Sequence, residues 1–447
     1  MPDSNPNPQS IASETVLAIE SLDQEGRGVA RHEGKTVFVE GALPGEQVTV
    51  VPLRDRPSYT VARVTSVRRA NAGRVEPRCP HFGVCGGCTL QHAHPALQIA
   101  AKQRSLEDAL ARIGRVRPDT VLPAIEGPAW GYRYRARLSV RNVVKKGGVL
   151  VGFHERKSSF VADMTECHVL PPAISALLPG LRRLIEGLTV RDRLPQIEVA
   201  VGERESGAVY ALVLRILEAL APEDVARLDA FADAHGVAFW LQTGGPGTVA
   251  PMRARDAELA YTLPEFGVVM PFGPAEFTQV NYAINRALVR RALTLLEPSP
   301  GERVADFFCG LGNFSLPIAK SGAHVVGVEG SAALVRRAQQ NAAHNGLSDR
   351  TTFMAANLFA VTPESMAVFG RLDRALIDPP RDGAVEVVKA LGTGGPKRIV
   401  YVSCDPATLA RDVAGLVQGG FTLQSLRAFD LFPDTHHVEA VAVLDHL

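Results

Sequence analysis

A chain of 447 residues is too long for a single compact core, so two to four domains are expected. Its 46% hydrophobic and 21% charged residues are typical of an ordinary globular protein, and a net charge of +1 says nothing about partners. No stretch approaches the roughly 20 apolar residues of a membrane span, and the N-terminus has no targeting pattern. We therefore expect a cytoplasmic protein with no membrane partner, whose six cysteines are reduced, metal-bound or catalytic.

Charge is distributed unevenly along the chain. Residues 51–150 carry 18 Lys and Arg against 6 Asp and Glu, whereas residues 1–50 carry 3 against 8. A basic block in a neutral chain is a plausible footprint for a polyanion. A solvated basic surface explains the same charges equally well.

The N-terminal part reads as a tail followed by a small β module. Residues 1–10 are rich in Pro and Asn and predict a disordered tail. Residues 11–68 contain five short β-rich runs separated by turn residues, which favours an OB-like barrel. The predicted strands span residues 16–19, 28–31, 36–39, 47–51 and 61–67. Gly26-x-Gly28-Val29-Ala30 and the motif from Val39 to Glu46 make this region similar to the TRAM domain of several RNA-modifying enzymes.

The second part, residues 70–265, opens with three cysteines in ten residues. Cys79, Cys85 and Cys88 are separated by five and then two residues, with glycines between them. Cys167 is the nearest candidate for a fourth ligand, and four thiolates suit either zinc or a [4Fe–4S] cluster. The spacing differs from that of radical enzymes, and a four-Cys site is closed, so we expect a structural centre in an α+β domain.

An arginine-rich strand follows a helix predicted over residues 97–113. In residues 132–141 the arginines recur with a period of two, so Arg133, Arg135, Arg137 and Arg141 would share one face. Tyr132 and Tyr134 would lie on the other face. Such a row can grip phosphates and stack on unpaired bases, although an exposed face kept soluble by arginine has the same pattern.

The third part, residues 266–447, alternates strands and helices and predicts a doubly wound α/β domain. Strands are predicted at 303–308, 324–329, 351–355, 374–378, 398–403, 422–430 and 438–444. Helices are predicted at 334–345, 385–391 and 406–418. The whole chain is thus an α/β multidomain protein with an N-terminal barrel.

The first strand of this domain is followed by a glycine turn, Gly310-x-Gly312, and the second ends in Glu329. A glycine turn lets a ligand approach the backbone, and a carboxylate at the end of the next strand can accept hydrogen bonds from ribose hydroxyls. This arrangement serves NAD and S-adenosylmethionine alike. The last glycine of the dinucleotide fingerprint is missing at Phe314 and Ser315, so S-adenosylmethionine is favoured.

Two later residues predict the chemistry. Cys404 follows a buried strand, and a thiolate that adds to carbon-6 of a pyrimidine makes carbon-5 nucleophilic towards a methyl donor. A base must then remove the carbon-5 proton, and Glu439 is our candidate. Arg381 follows Asp378-Pro379-Pro380 where enzymes that methylate amino groups place an aromatic residue.

Other groups near these residues have ordinary explanations. Cys309 is expected to be a buried turn residue near the cofactor. His436 and His437 could orient Glu439, or could simply belong to a surface turn.

These segments together resemble the bacterial RNA 5-methyluridine methyltransferases, along nearly the whole chain from residue 11. The resemblance rests on Cys79–Cys88, on Phe277-x-Gln279-Val280-Asn281, on residues 306–314 and 326–330, on residues 401–411 and on His437-x-Glu439. Its best match is the branch that acts on 23S rRNA. The sequence departs from the family at Asp405, where Asn is usual.

The resemblance implies a fold, two cofactors and a set of site residues. The C-terminal domain would be a Rossmann-like class I methyltransferase domain that binds S-adenosylmethionine, with Cys404 as nucleophile and Glu439 as base. Cys79, Cys85, Cys88 and Cys167 would hold a [4Fe–4S] cluster. The implied cofactor residues are Gln279, Phe308, Asn313, Glu329, Asn357 and Asp378.

The expected product is 5-methyluridine in 23S rRNA, made by a monomer that binds RNA and not DNA. Two alternatives remain: a uridine-5-methyltransferase acting on tRNA or on more than one RNA, and a non-catalytic RNA-binding assembly factor. Retention of both Cys404 and Glu439 speaks against the second.

Overall fold

A computed structural model of the protein describes residues 14–204, 207–254, 258–392 and 394–446. The predicted tail, residues 1–10, lies outside the described residues. No helix in these ranges is both long and apolar enough to cross a lipid bilayer.

The N-terminal module is a six-stranded sheet with the order β1-β5-β6-β4-β3-β2. Its strands are β1 (Thr15–Ala18), β2 (Ser21–Leu22), β3 (Gly28–His32), β4 (Lys35–Glu40), β5 (Gln47–Asp55) and β6 (Tyr59–Arg69). The five predicted strands are present, and β2 is an addition. Alternate residues of β4, Val37 and Val39, are fully buried in a small separate core, as expected for a sheet with one covered face.

Helix α1 (Pro95–Ala109), which ends in a π-helical turn at Leu110–Gly114, and strand β7 (Thr120–Ile125) come next in the chain. Both lie inside the predicted central domain, yet they pack on the C-terminal domain. Strand β7 pairs with a C-terminal strand, and Leu106 and Leu110 share a core with C-terminal helices. The physical reason is the buried face of α1, in which Leu106 and Ala109 pack on those helices while Gln98 and Lys102 bond to residues 430–434 of the same domain.

The central domain is a six-stranded sheet with the order β13-β12-β11-β10-β8-β9. Its elements are β8 (Arg135–Val143), β9 (Gly148–Gly152), α2 (Pro172–Glu186), β10 (Gln196–Arg204), β11 (Gly207–Arg215), α3 (Pro222–His235), β12 (Val237–Gln242) and β13 (Val249–Pro251). Helices α2 and α3 share a core with one face of this sheet. The hairpin of β14 (Leu259–Leu263) and β15 (Val268–Phe272) packs on the other face and crosses the predicted boundary at 265/266.

The C-terminal domain is an eight-stranded sheet, with the order β18-β17-β16-β19-β20-β22-β21-β7. Its strands are β16 (Arg303–Phe307), β17 (His324–Glu329), β18 (Thr351–Ala355), β19 (Arg374–Ile377), β20 (Arg398–Ser403), β21 (Phe421–Phe429) and β22 (Glu439–His446). Its helices are α4 (Tyr282–Leu296), α5 (Ser315–Lys320), α6 (Ala332–His344), α7 (Pro363–Met366), α8 (Val385–Leu391) and α9 (Pro406–Gln418). Two buried clusters cover the two faces of the sheet, which confirms the doubly wound α/β prediction.

Candidate active site

One edge of the C-terminal sheet gathers most of the predicted site residues. Strands β16, β17, β19 and β20 are parallel, so their carboxyl ends share that edge, and the antiparallel strand β22 begins there. Phe308, Glu329, Asp378, Cys404 and Glu439 each end, follow or begin one of these strands. Ligands of open α/β sheets bind at this edge.

The strand register places the predicted nucleophile beside the predicted base. Ser403 of β20 lies opposite Ala440 of β22, so Cys404 and Glu439 are the next facing pair. Facing residues of an antiparallel pair have Cβ atoms about 4.5–5.5 Å apart, and their side chains leave the same face of the sheet. Asp378 is one residue beyond Ile377, which pairs with Tyr401 of β20.

The surroundings of Cys404 disfavour its ionisation in this state of the protein. Burial and, to a smaller extent, the carboxyl groups of Glu439 and Asp378 together raise the pKa of the Cys404 thiol to about 11, although Arg381 opposes the shift. A nucleophilic cysteine must react as its thiolate, and these side chains alone do not favour that form.

The nearby carboxyl groups are also shifted towards their neutral forms. Burial raises the pKa of Asp378 to about 7 and raises that of Glu439 well above its ordinary value. Asp306 behaves similarly: burial raises its pKa to about 7, and it accepts a 2.5 Å hydrogen bond from Ser315. Sequence analysis did not assign Asp306, although its place just before the glycine turn is a usable signal.

Asp405 has a local structural role. Its side chain caps helix α9 by accepting hydrogen bonds from the backbone N–H groups of Ala407 and Thr408 at 2.9 and 3.0 Å. An Asn side chain offers the same acceptor oxygen, which explains why Asp can stand where the family usually has Asn. The cap also places Cys404 at the positive end of α9.

The glycine turn and Glu329 form one hydrogen-bonded unit. Both carboxylate oxygens of Glu329 accept backbone N–H groups, from Gly310 at 3.1 Å and from Ser331 at 2.9 Å. Phe308 has a φ of 64°, in the left-handed region that few non-glycine residues adopt. This turn presents the Phe308 ring next to Phe359, with 5.7 Å between ring centroids.

Two of the other predicted cofactor residues, Asn313 and Asn357, lie in segments that adjoin this unit. Asn313 is held by Tyr261 Oη at 2.8 Å and by paired amide hydrogen bonds with Asn285, both 3.0 Å. Gln279 lies two residues before Asn281, whose side chain caps α4. Asn357 follows β18 and accepts a hydrogen bond from the backbone of Phe359. Sequence analysis missed the supporting residues Tyr261 and Asn285.

The four predicted metal-ligating thiols line one cavity in the central domain. Cys79, Cys85, Cys88 and Cys167 surround it together with apolar and aromatic side chains. Burial raises the pKa of all four thiols, to about 11 for Cys167. Within the part of the chain that the structure describes, however, no three His, Cys, Asp or Glu side chains converge closely enough to hold a metal ion.

The arginine pattern is only partly as predicted. Strand β8 begins at Arg135, and Arg137 and Arg141 are exposed on the expected face, but Arg137 already pairs with Glu198 at 2.9 Å. Arg133 precedes the strand and lines a cleft together with Arg381 and His437. Its Nε atom is buried and has no hydrogen-bond partner among the described residues. Arg133 therefore does not share the strand face.

The two histidines before the base do not orient it through any described hydrogen bond. His436 Nδ1 lies 3.3 Å from Thr89 Oγ1, and the rings of His436 and His437 are 4.2 Å apart. Burial lowers the pKa of both, to about 4 for His437. Cys309 is buried in the turn after β16, as predicted.

Two family profiles match the chain. The family described as tRNA (Uracil-5-)-methyltransferase matches residues 268–447, and the TRAM domain matches residues 13–64. A solved structure shares the fold across all three parts. It is the Pyrococcus abyssi tRNA (uracil-54, C5)-methyltransferase in complex with S-adenosyl-L-homocysteine, with a TM-score of 0.75, 24% identity, and coverage of 96% of this chain and 99% of that chain.

Curated relatives are much closer in sequence. The Aromatoleum aromaticum protein named 23S rRNA (uracil(1939)-C(5))-methyltransferase RlmD is 60% identical over 433 residues, which cover 96% of this chain and 99% of the relative. The Bordetella parapertussis protein of the same name is 58% identical over 438 residues, which cover 97% of this chain and 93% of the relative. Identity of this degree along almost the entire chain shows that the protein belongs to the family of RNA uracil-5-methyltransferases.

Proposed function

We propose that this protein transfers the methyl group of S-adenosylmethionine to carbon-5 of a uracil in 23S rRNA. The observation that carries the proposal is that Cys404, Glu439 and Asp378 come together where β20 and β22 pair, close enough for both carboxyl groups to raise the pKa of the thiol. The relatives named as 23S rRNA enzymes supply the RNA class.

The two side chains divide the reaction between them. The Cys404 thiolate adds to carbon-6 of uracil, which places electron density on carbon-5 for attack on the methyl donor. Glu439 then takes the proton from carbon-5, the ring double bond reforms, and the bond between carbon-6 and sulfur breaks to return the thiolate. Burial raises the pKa of Glu439, which makes its carboxylate a stronger base than an exposed one.

The predicted cofactor residues suit S-adenosylmethionine. When bound, it supplies an electrophilic methyl group on a cationic sulfur, a charge that favours the ionised forms of nearby acids. Glu329 would accept hydrogen bonds from the ribose hydroxyls, and Phe308 lies on the turn that follows β16. Gln279, Asn313, Asn357 and Asp378 complete the set.

The four cysteines are proposed to hold a [4Fe–4S] cluster with a structural role. Four thiols around one largely apolar cavity are a donor set for soft metals, and zinc or an iron–sulfur cluster both fit that chemistry. The cluster is favoured over zinc by the family resemblance of Cys79, Cys85, Cys88 and Cys167.

The cleft that contains Arg381, whose charge acts on the Cys404 thiol, is proposed to receive the RNA. It carries two guanidinium groups, Arg133 and Arg381, and aromatic side chains that include Phe432 and His437. Such a lining can bind phosphates and stack on an unpaired base.

The test compares Cys404→Ala with Glu439→Gln, using labelled methyl donor and rRNA. We expect no covalent RNA adduct with Cys404→Ala. Glu439→Gln should accept the methyl group and then accumulate a methylated protein–RNA adduct, visible on a denaturing gel, because proton removal fails. Full turnover by Cys404→Ala would rule out the covalent mechanism. Mapping of 5-methyluridine in rRNA and tRNA from a deletion strain decides between the two RNA classes.

A further inference from the structure

Glu439, the predicted base, directly follows a loop that is held by residues outside its own sheet. Residues 430–438, here called the base loop, connect β21 to β22, and Phe429 pairs with Glu439 where the loop closes. A displacement of this loop would move Glu439 relative to Cys404, because Glu439 is the first residue of β22.

Helix α1 fixes the start of the base loop with a buried ammonium group. Lys102 Nζ donates to Asp430 Oδ1 at 2.6 Å and to the Phe432 carbonyl at 2.9 Å. Both charged side chains are buried. A buried ion pair is a weak source of stability compared with well-packed apolar residues, so its use here favours a role in setting geometry.

The same helix fixes the middle of the loop through a paired amide contact. Gln98 Nε2 donates to Asp434 Oδ1 at 3.0 Å, and the Asp434 N–H donates to Gln98 Oε1 at 2.8 Å. Asp434 has a φ of 63°, a left-handed conformation that persists only where the surroundings hold it. Tyr132 adds a third support by donating its hydroxyl to the Pro433 carbonyl at 2.9 Å.

We propose that Lys102 and Gln98 are positioning residues that hold the base loop so that Glu439 reaches the carbon-5 proton. The inference rests on the proposed function and deepens it. It assigns to α1, which belongs to the central segment by sequence, control over one chemical step. The step is proton removal, which follows the addition of Cys404 to the ring. Phe432 and His437 of the base loop also line the proposed RNA cleft, so RNA affinity is measured beside adduct formation and release.

The test measures where the reaction stops. Lys102→Met removes the ammonium group and keeps a long side chain. We expect methyl transfer to proceed and release of the methylated adduct to slow by about 10- to 100-fold, the effect of a displacement near 1 Å. Affinity for S-adenosylmethionine should stay within about twofold, a factor worth only ~0.4 kcal/mol. Gln103→Met is the matched control, because Gln103 is a neighbour on α1 whose amide bonds to Glu107.

Tyr132→Phe keeps the test decisive if Lys102→Met does not fold, because it removes one hydroxyl that holds the same loop. Adduct accumulation by either variant, with normal release by Gln103→Met, supports the inference. Adduct formation and release that fall together, in proportion to the folded fraction, would overturn it in favour of a purely structural role. Normal release of the methylated adduct by Tyr132→Phe also overturns the inference, if Lys102→Met is insoluble or releases the adduct normally too. If Glu439→Gln itself traps no adduct, the proposed base is wrong, which is a different failure.

Discussion

At the scale of single residues, burial and neighbouring carboxyl groups disfavour the ionised form of the predicted nucleophile. Glu439 and Asp378 both raise the pKa of the Cys404 thiol, and Asp378 also raises that of Glu439, whereas the pKa of Asp378 is raised by burial alone. Cationic groups therefore favour the reactive thiolate, and Arg381 is one whose charge lowers the pKa of Cys404.

The pKa of Cys404 can be measured by the pH dependence of its alkylation with iodoacetamide, followed by peptide mass spectrometry. In the cofactor-free protein we expect an apparent pKa of about 11. Glu439→Gln should lower this pKa because it removes a negative neighbour, and Arg381→Ala should raise it because it removes a positive one. An apparent pKa below that of an ordinary thiol, about 8.5, would contradict the electrostatics described here.

Asp378 should destabilise the folded protein at high pH. Burial raises its pKa from 3.8 to about 7, so the folded state binds more protons than the unfolded state between these values. Stability contributed by this group therefore falls as pH rises through that window. Asp378→Asn should raise the free energy of unfolding by about 1–2 kcal/mol at pH 8 and leave it unchanged near pH 4, while it weakens cofactor binding. Thermal unfolding at the two pH values checks this, and equal effects at both would contradict it.

At the scale of elements, sequence patterns predicted the buried strands well. Strands β17 and β20 have the predicted bounds, because each is a short buried apolar run closed by turn residues. The edge strand β18 also has its predicted bounds, although only Phe353 of its residues is buried. Strand β7 was missed because its residues are half-exposed and mixed in character, and its partner is distant in sequence. The catalytic pair was predictable from motif position, whereas the supports Lys102 and Gln98 were not, since a buried lysine leaves no periodic signal.

Arg133 was predicted to share one strand face with the other arginines, but it lines the cleft instead. This changes which arginine variants should weaken RNA binding. Arg133→Ala should weaken binding of an rRNA fragment and reduce its salt dependence by about one phosphate contact. Arg137→Ala should have a smaller effect, because that guanidinium already pairs with Glu198. Filter binding over a range of salt concentrations checks both variants. Equal losses would mean that the strand face contacts RNA as much as the cleft does.

At the scale of the whole molecule, the segment that follows Cys88, the N-terminal module and the base loop meet. The backbone N–H groups of Thr89 and Leu90, directly after Cys88, both donate to the Asp434 carbonyl at 2.9 Å. A Cβ at Gly26 of the N-terminal module would lie 3.3 Å from His436 Cβ. The three parts therefore converge on the base loop.

Loss of one cysteine should affect the whole molecule. Cys85→Ser should give colourless and poorly soluble protein, because the energy of cluster binding is part of the folding energy. The wild type, purified without oxygen, should be brown and contain about four irons, the content of one [4Fe–4S] cluster. Iron analysis and the visible spectrum check this, and stoichiometric zinc without iron would contradict the cluster.

The pairing of β7 with β21 has a consequence for how the protein is made. Thr120 lies beside Ser425, so β7 leaves the ribosome roughly 300 residues before its partner strand. At about 5–20 residues per second, that interval is on the order of 15–60 s. During this interval Leu106 and Leu110 lack the helices that bury them in the folded protein. The nucleophile and the base come together only when β22 is synthesised, so a nascent chain that stops short of Glu439 cannot complete the reaction.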